Sequence, residues 1–243
     1  GSFKLDMSYF DYSVGLKMTN NKFNFLFGGP PRKPESELTQ KEMDIARSVQ
    51  EVTEEIVYKM AKHVRKVTGK KYLCLAGGVA LNCVSNGKLL RSNIFEDIYI
   101  QPAAGDAGGA LGCALIAWYQ HLGNDRHADG ETDFMNGAYL GPEFSNGEIE
   151  EYLDKKGYSY QKLKDEELPE KIADLIAEQN VIGWFQGRME FGPRALGGRT
   201  IIGDSRSSET QKTINLKIKY RESFRPFAPS IREENISEYF DID

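Results

Sequence analysis

The sequence lacks a secretory signal, a membrane-spanning segment and a disulfide pattern. No basic stretch followed by an apolar one opens the chain, and the longest apolar run, near residues 109–118, is too short to cross a bilayer. The chain has three cysteines, an odd number, and each lies among apolar or small neighbours: Cys74, Cys83 and Cys113. This favours reduced, buried thiols over a disulfide framework. We therefore expect a cytoplasmic protein that does not bind a membrane.

The chain also lacks the broad positive charge that is typical of nucleic-acid-binding domains, because its formal net charge is −5. The window from Arg188 to Arg225 is an exception. It holds nine basic and four acidic residues, so it carries +5 while the rest of the chain carries −10. Glycine, proline and phenylalanine separate these basic residues, instead of acidic partners at helical spacing. The window therefore favours a local anion site over a nucleic-acid surface or a solvated charged face.

Strands alternate with helices along the chain, with glycines at the junctions, and this predicts an α/β fold. The clearest element is a long helix that begins after Thr39, with a capping box to Glu42, and ends at Gly69. The first half contains further predicted strands and helices at residues 72–76, 79–91, 97–101 and 105–121. After a connector, the second half contains predicted helices at residues 148–156 and 168–179, and predicted strands at residues 158–161 and 181–185.

Both glycine junctions of the first half place backbone amides at predicted helix N-termini, a geometry that favours phosphate. Gly77 and Gly78 are followed by Asn82, whose amide suits a purine or ribose edge. Paired glycines also make tight turns, so this alternative stays open. At the second junction Asp106 either caps the following helix or binds a metal that bridges to a phosphate. The chain has no Walker-type Gly-Lys-Ser/Thr loop, which argues against a P-loop ATPase.

The most informative string is residues 191–199, in which Arg194 and Arg199 lie in a loop rich in glycine and proline. The planar guanidinium group binds a carboxylate or a phosphate through two parallel hydrogen bonds. Residues 219–227 repeat the theme with Lys219 and Arg225. The alternative is that these basic residues form a buried scaffold of ion pairs.

Four strings resemble the O-carbamoyltransferase family of nodulation and antibiotic biosynthesis. They are LCLAGGVALNC at residues 73–83, QPAAGDAGGALG at 101–112, WFQGRMEFGPRALG at 184–197 and FRPFAPS at 224–230. The strings are long, they occur in the order found in the family, and the likeness covers nearly the whole chain. The resemblance is therefore highly specific.

The resemblance implies two domains. Residues 1–130 are similar to the C-terminal part of an actin/sugar-kinase-like domain that transfers the carbamoyl group. Residues 131–243 are similar to the beginning of a YrdC-like domain that forms carbamoyl adenylate from carbamoyl phosphate and ATP. The implied activity is transfer of a carbamoyl group to a hydroxyl of a small-molecule or sugar acceptor. The resemblance leaves open a homodimer.

The family's functional residues can be carried over position by position. The resemblance places the nucleotide against Gly77, Gly78 and Asn82, and makes Asp106 a ligand of a divalent metal of the iron or magnesium type. It implies that carbamoyl phosphate and the phosphates of ATP are held by Arg194, Arg199, Lys219 and Arg225. Adenylation brings the charged phosphates of carbamoyl phosphate and ATP close together, and the protein has to neutralise their charge. The roles implied for these basic residues agree with that requirement.

One departure concerns the metal. The family supplies two further ligands from a His-x-x-x-His helix, a spacing that does not occur among His63, His121 and His127. We therefore expect a fragment that lacks the N-terminal lobe and the C-terminal end, has an incomplete metal site and is inactive in isolation. Two alternatives are a related enzyme that carbamoylates a protein or tRNA, and a non-catalytic module that binds a nucleotide or an anion.

Overall fold

The computed structural model describes residues 3–241 and is a mixed α/β structure. Its α-helices are α1 Asn21–Leu26, α2 Gln40–Thr68, α3 Cys83–Arg91, α4 Asp106–Ile116, α5 Asn146–Lys156, α6 Leu168–Ala177, α7 Ser208–Thr213 and α8 Ile236–Tyr239. Its strands are β1 Tyr72–Leu75, β2 Asp97–Ile100, β3 Ile182–Phe185 and β4 Arg199–Ile202. Short 3-10 turns cover Met7–Tyr9, Gly78–Leu81, Asn136–Ala138 and Glu233–Asn235, and π-helical turns cover Ala117–His121 and Ile214–Ile218. Between residues 3 and 241, no helix is long and apolar enough to cross a membrane.

The chain divides into two compact units. The first unit comprises Gly1–Phe134 and Phe191–Pro193, and the second comprises Met135–Glu190 and Arg194–Asp243. The assignment of residues 1–130 and 131–243 to an actin-like and a YrdC-like domain stays a prediction.

The first unit is built around the long helix α2, whose predicted ends are confirmed. Thr39 and Glu42 form the capping box, and Gly69 ends the helix in the left-handed conformation with φ of 64°. A core of Ala61, Leu89 and Phe95 joins α2 to α3 and to the segment that follows α3. Helical periodicity and caps thus sufficed to place this element.

Strands β1 and β2 of the first unit pair in parallel, with Tyr72 opposite Asp97 and Leu75 opposite Ile100. Alternate residues such as Leu73 and Leu75 pack against the core. Because the two strands are parallel, the glycine segments that follow them leave from the same edge.

The second unit contains an antiparallel pair, in which β3 and β4 run from Ile182 opposite Ile202 to Phe185 opposite Arg199. Its predicted helices are confirmed as α5 and α6, and α5 begins with a capping box formed by Ser145 and Glu148.

Three expectations from the sequence were wrong. The cysteines are exposed, because Cys74 lies on the face of β1 opposite the core and the other two lie on exposed parts of α3 and α4. Residues 158–161 are not a strand, because no partner strand among residues 3–241 pairs with them. The helix expected from residue 79 begins at Cys83, because Asn82 has an extended backbone and caps it.

Candidate functional site

The two glycine junctions of the first unit lie next to each other. The backbone N–H of Gly77, two residues after β1, donates a hydrogen bond of 2.7 Å to the carbonyl of Ala104, which precedes Gly105 and Asp106. Ala104 and its neighbour Ala103 are buried, so the contact lies on a packed base. The structure thus brings the predicted nucleotide-binding Gly77 and Gly78 and the predicted metal ligand Asp106 to one edge of the parallel strands, which we call the glycine edge.

Open space adjoins this edge. A Cβ atom placed on Gly77, Gly78, Gly105 or Gly109 would meet no described atom within 4 Å. Gly77 also has a φ of 97°, which favours glycine over any other residue. A ligand can therefore approach the backbone closely here, as a phosphate or a nucleotide requires.

Asp106 is the first residue of α4, and its carboxylate is exposed. Gly105 occupies the cap position, and no side-chain hydrogen bond caps the helix, so the helix-cap alternative does not describe this residue. Residues 3–241 contain no group of three His, Cys, Asp or Glu side chains that could hold a metal ion. Asp106 could supply one ligand, but the described residues do not fit a complete metal site.

Asn82 is engaged within the protein. Its Oδ1 accepts a hydrogen bond of 3.1 Å from the backbone N–H of Ser85 and another of 3.2 Å from Nε2 of Gln50. Its Nδ2 donates to Oε1 of Gln50 at 2.9 Å. The nucleotide role of Asn82 stays a prediction, and it would require the amide to leave at least part of this arrangement.

The arginine loop of the second unit, residues 194–198, is organised by Glu190. The side chain of Glu190 is buried, with the residue only 3% exposed. Its Oε1 accepts hydrogen bonds from the backbone N–H groups of Leu196 at 2.6 Å and Gly198 at 2.9 Å, with Arg199 N at 3.5 Å. The hydroxyl of Tyr139 also donates to the carbonyl of Leu196 at 2.6 Å. The backbone of the loop is therefore held by two side chains.

Glu190 also forms an ion pair, in which its Oε2 lies 3.5 Å from Nε of Arg199. This oxygen is buried and accepts no hydrogen bond from residues 3–241. Burial raises the pKa of Glu190, but hydrogen bonds from the backbone N–H groups of Leu196, Glu190 itself, Gly198 and Arg199 together outweigh burial, and the pKa lies below its ordinary value. Glu190 is therefore charged at neutral pH.

Arg199 was expected in a loop and instead begins β4, because Gln186 N–H donates to the Gly198 carbonyl at 2.8 Å and extends the strand ladder. Its ion pair with Glu190 corresponds to the scaffold alternative, and its contact with substrate stays a prediction. Arg194 differs, since it is exposed and its side chain makes no hydrogen bond or ion pair with residues 3–241.

The second basic segment, residues 219–227, is called here the lysine–arginine loop and is organised by Asn215. Asn215 is 0% exposed, and its Nδ2 donates to the carbonyls of Ser223 at 3.1 Å and Arg225 at 2.8 Å. Its Oδ1 accepts from Nε of Arg221 at 2.6 Å. Gln211 adds hydrogen bonds from Nε2 to the carbonyls of Phe224 and Arg225, at 3.2 and 3.0 Å.

Lys219 and Arg225, the two predicted ligands of the lysine–arginine loop, are exposed. Within the described part of the chain, neither cationic group makes a hydrogen bond or an ion pair. Other basic residues of the +5 window are paired: Arg188 with Glu143 at 3.1 Å, and Arg206 with Asp204 at 2.8 Å, which lowers the pKa of Asp204 to about 2. Among the described residues, the two loops thus present three unpaired cations, Arg194, Lys219 and Arg225, and Lys212 and Lys217 are unpaired elsewhere in the window.

Sequence reasoning missed the two buried organisers. Glu190 stands between Met189 and Phe191, and Asn215 between Ile214 and Leu216. A polar side chain inside an apolar string signals burial with satisfied hydrogen bonds, and this signal could have found both residues. Their partners could not be read in the same way.

Comparison with known proteins gives matches along most of the chain. The family model described as Carbamoyltransferase N-terminus matches residues 1–115, and the one described as Carbamoyltransferase C-terminus matches residues 173–243. An uncharacterized protein of Synechocystis is 58% identical over 247 residues, covering 100% of this chain and 40% of the relative. Nodulation protein NolO of Bradyrhizobium diazoefficiens is 46% identical over 84% of this chain and 36% of its own length. Nodulation protein U of Rhizobium tropici is 30% identical over 76% of this chain and 29% of its own length.

The chain thus spans at most 40% of the length of these three relatives. Its matched segments contain both the glycine edge of the first unit and the two basic loops of the second. With matches to both the N-terminal and the C-terminal model, the chain belongs to the carbamoyltransferase family.

Proposed function

We propose that this chain takes part in O-carbamoyl transfer, in which carbamoyl phosphate and ATP give carbamoyl adenylate and the carbamoyl group passes to a hydroxyl of a small-molecule or sugar acceptor. The observation that carries the proposal is the pair of basic loops. The arginine loop presents Arg194 and the lysine–arginine loop presents Lys219 and Arg225 as cations that are unpaired among the described residues, and a buried polar side chain holds the backbone of each loop in place. Family membership supports the same reaction class.

The unpaired cations are suited to phosphate. Arg194 and Arg225 offer planar guanidinium groups, and Lys219 offers a compact ammonium charge. A charge-assisted hydrogen bond contributes about 1.5–3 kcal/mol, or roughly ten- to a hundredfold in binding. Because the loop backbones are already ordered, less conformational entropy is lost when the anion binds. We assign carbamoyl phosphate and the ATP phosphates to these residues together with Arg199.

The glycine edge of the first unit is the proposed nucleotide contact, with Gly77 and Gly78 offering unhindered backbone. In the proposed reaction ATP is split into AMP and pyrophosphate. The phosphate group of carbamoyl phosphate is released as inorganic phosphate, and water supplies the fourth oxygen of that phosphate. We further propose the actin/sugar-kinase-like and YrdC-like identities of the two domains, and a cytoplasmic location where ATP and carbamoyl phosphate are available.

A divalent metal remains part of the proposal only through Asp106. When bound, such an ion would neutralise phosphate charge. The exposed carboxylate of Asp106 is a suitable oxygen ligand, but the described residues offer no set of three. No step is therefore assigned to the metal, and the basic loops carry the recognition of the donor.

The test is calorimetric titration of carbamoyl phosphate into the wild-type protein and into Arg194→Ala and Arg194→Lys. We expect Arg194→Ala to weaken binding roughly ten- to a hundredfold. Arg194→Lys should be nearly as damaging, because a point charge cannot replace a two-pronged donor. Melting temperatures should stay close to wild type, since the exposed Arg194 side chain makes no hydrogen bond or ion pair with residues 3–241.

Lys212→Ala is the matched control. It removes one positive charge from the same +5 window, at an exposed side chain of α7 that the proposal does not use. Its affinity should remain near wild type. Equal losses in Arg194→Ala and Lys212→Ala would reduce the effect to general electrostatics, and wild-type affinity in folded Arg194→Ala would refute the site.

A further inference from the structure

We propose that Glu190 is a positioning residue of the carbamoyl phosphate site, which uses one carboxylate oxygen to fix the arginine loop and the other to orient Arg199. The inference rests on the proposed function. Glu190 touches neither substrate nor nucleotide in this scheme, and its effect on binding passes through Arg199.

The first half of the inference concerns Oε1. This oxygen draws the backbone N–H groups of Leu196 and Gly198 toward one point, at 2.6 and 2.9 Å. A convergent group of amides of this kind is a common binding site for phosphate oxygens. Here an internal carboxylate occupies it, so these amides are not available to a substrate anion. Recognition of the donor therefore falls to the side chains of the loop and not to its backbone.

The arginine loop has little freedom to leave this arrangement. A Cβ atom on Gly198 would lie 2.7 Å from the carbonyl oxygen of Arg188 and 3.3 Å from Oε2 of Glu190. Gly197 has a φ of 110°, in the region that favours glycine. The loop thus closes tightly around the carboxylate, and this closure places Arg194, at the start of the loop, and Arg199, directly after it.

The second half concerns Oε2, which is buried and makes no hydrogen bond with the described residues. Its nearest charged group is Nε of Arg199 at 3.5 Å. This ion pair places the negative charge of Glu190 beside the Nε edge of the guanidinium group. The carboxylate also balances the charge of Arg199 at a half-buried position, which keeps this arginine in place when no anion is bound.

The two oxygens can be separated by substitution. In Glu190→Gln the remaining carbonyl oxygen can still accept the loop N–H groups, while an uncharged NH2 group replaces Oε2 beside Arg199. In Glu190→Asp the charge remains, but the side chain is one methylene group shorter, so the carboxylate no longer reaches the loop N–H groups. If Glu190 has a purely structural role, the more stable of the two variants should also bind the ligand more tightly. If Glu190 is a positioning residue, the more stable variant should bind the ligand more weakly.

The experiment measures melting temperature and calorimetric affinity for carbamoyl phosphate in wild type and in both variants. We expect Glu190→Gln to melt slightly below wild type, because the ionised carboxylate adds stability at neutral pH, and to bind roughly tenfold more weakly, as loss of one charge-assisted contact implies. Glu190→Asp should melt lower and yet bind more tightly than Glu190→Gln. Tighter binding by the more stable of the two variants would overturn the inference.

A double-mutant cycle with Arg199→Ala covers the case in which Glu190→Gln does not fold, since it can be run with Glu190→Asp. If Glu190 acts through Arg199, adding either Glu190 variant to Arg199→Ala should cause little further loss of affinity. Additive losses would refute the coupling. Weakened binding in Arg194→Ala and Arg199→Ala with wild-type binding in Glu190→Gln would remove Glu190 alone. Wild-type binding in both arginine variants would remove the proposed function itself.

Discussion

The arginine loop and the lysine–arginine loop solve the same problem with side chains of opposite polarity. The arginine loop turns backbone N–H groups inward, and a buried acceptor, Glu190, binds them. The lysine–arginine loop turns carbonyls inward, and a buried donor, the amide of Asn215, binds them. The direction of the peptide groups therefore decides which type of side chain can organise each loop.

The difference has an electrostatic consequence. Glu190 carries a charge that offsets Arg199, whereas the amide of Asn215 is neutral and offsets none of the charge of Lys219 or Arg225. The lysine–arginine loop thus presents two unpaired cations, and the arginine loop presents one, Arg194. We expect the lysine–arginine loop to carry more of the attraction for phosphate, and the arginine loop more of its orientation.

The largest expected effect comes from replacing the donor amide of Asn215, the buried residue that organises the lysine–arginine loop, with a hydrogen-bond acceptor. Asn215→Asp replaces a buried donor with an acceptor that faces the carbonyls of Ser223 and Arg225. We expect the free energy of unfolding to fall by about 2–4 kcal/mol, because two hydrogen bonds are lost and a carboxylate oxygen then faces carbonyl oxygens, a cost that pairing with Arg221 offsets only in part. Urea denaturation measures the change, with Gln211→Ala as a milder control, because the exposed Gln211 of α7 also donates hydrogen bonds to carbonyls of this loop. Unchanged stability would contradict the donor role of Asn215.

A smaller effect should follow from adding one methyl group to the arginine loop. In Gly198→Ala the new Cβ would lie 2.7 Å from the Arg188 carbonyl, so the backbone must shift. We expect a loss of about 1–3 kcal/mol in unfolding free energy, with weaker binding of carbamoyl phosphate. Gly183→Ala on β3 is the matched control, because no described atom lies within 4 Å of its Cβ position. Equal effects at the two glycines would show that the loop is not tightly closed.

The smallest effect distinguishes the two organisers by pH. Glu190 has a pKa below its ordinary value in the folded protein, so its ionised contacts add stability above the ordinary pKa of about 4.3. That stability is lost as the pH falls through the lower, folded pKa. The stability difference between wild type and Glu190→Gln should therefore shrink below about pH 4. Neither Asn nor Ala titrates, so residue 215 itself should add no pH dependence to the stability difference between wild type and Asn215→Ala. Chemical unfolding at a series of pH values measures both, and parallel pH curves for the two pairs would contradict the assignment.

The sequence predicts those features whose chemistry is local. The ends of α2 follow from Thr39, Glu42 and Gly69, which lie within or next to the helix they delimit. The glycine junctions and the cationic residues are equally visible as short strings. Residues 158–161 show the limit of this approach, because an extended pattern does not supply the partner strand that a sheet requires.

The organisers of the site depend on contacts between separated residues. Gln50 and Asn82 are 32 positions apart, and Tyr139 and Leu196 are 57 apart. Neither pairing follows from spacing or propensity. The apolar neighbours of Glu190 could have indicated its burial, but its three amide partners depend on a loop whose path no local rule specifies.

The hydrogen bond from Gly77 N–H to the Ala104 carbonyl has a consequence for protein engineering. It joins two segments that a recombination experiment would naturally treat as separate blocks. A chimera that takes residues 73–83 from one relative and residues 101–112 from another must preserve the backbone path of both, although the bond involves no side chain. Crossover points between these two segments should therefore be tolerated less well than crossover points in the connector that follows α4.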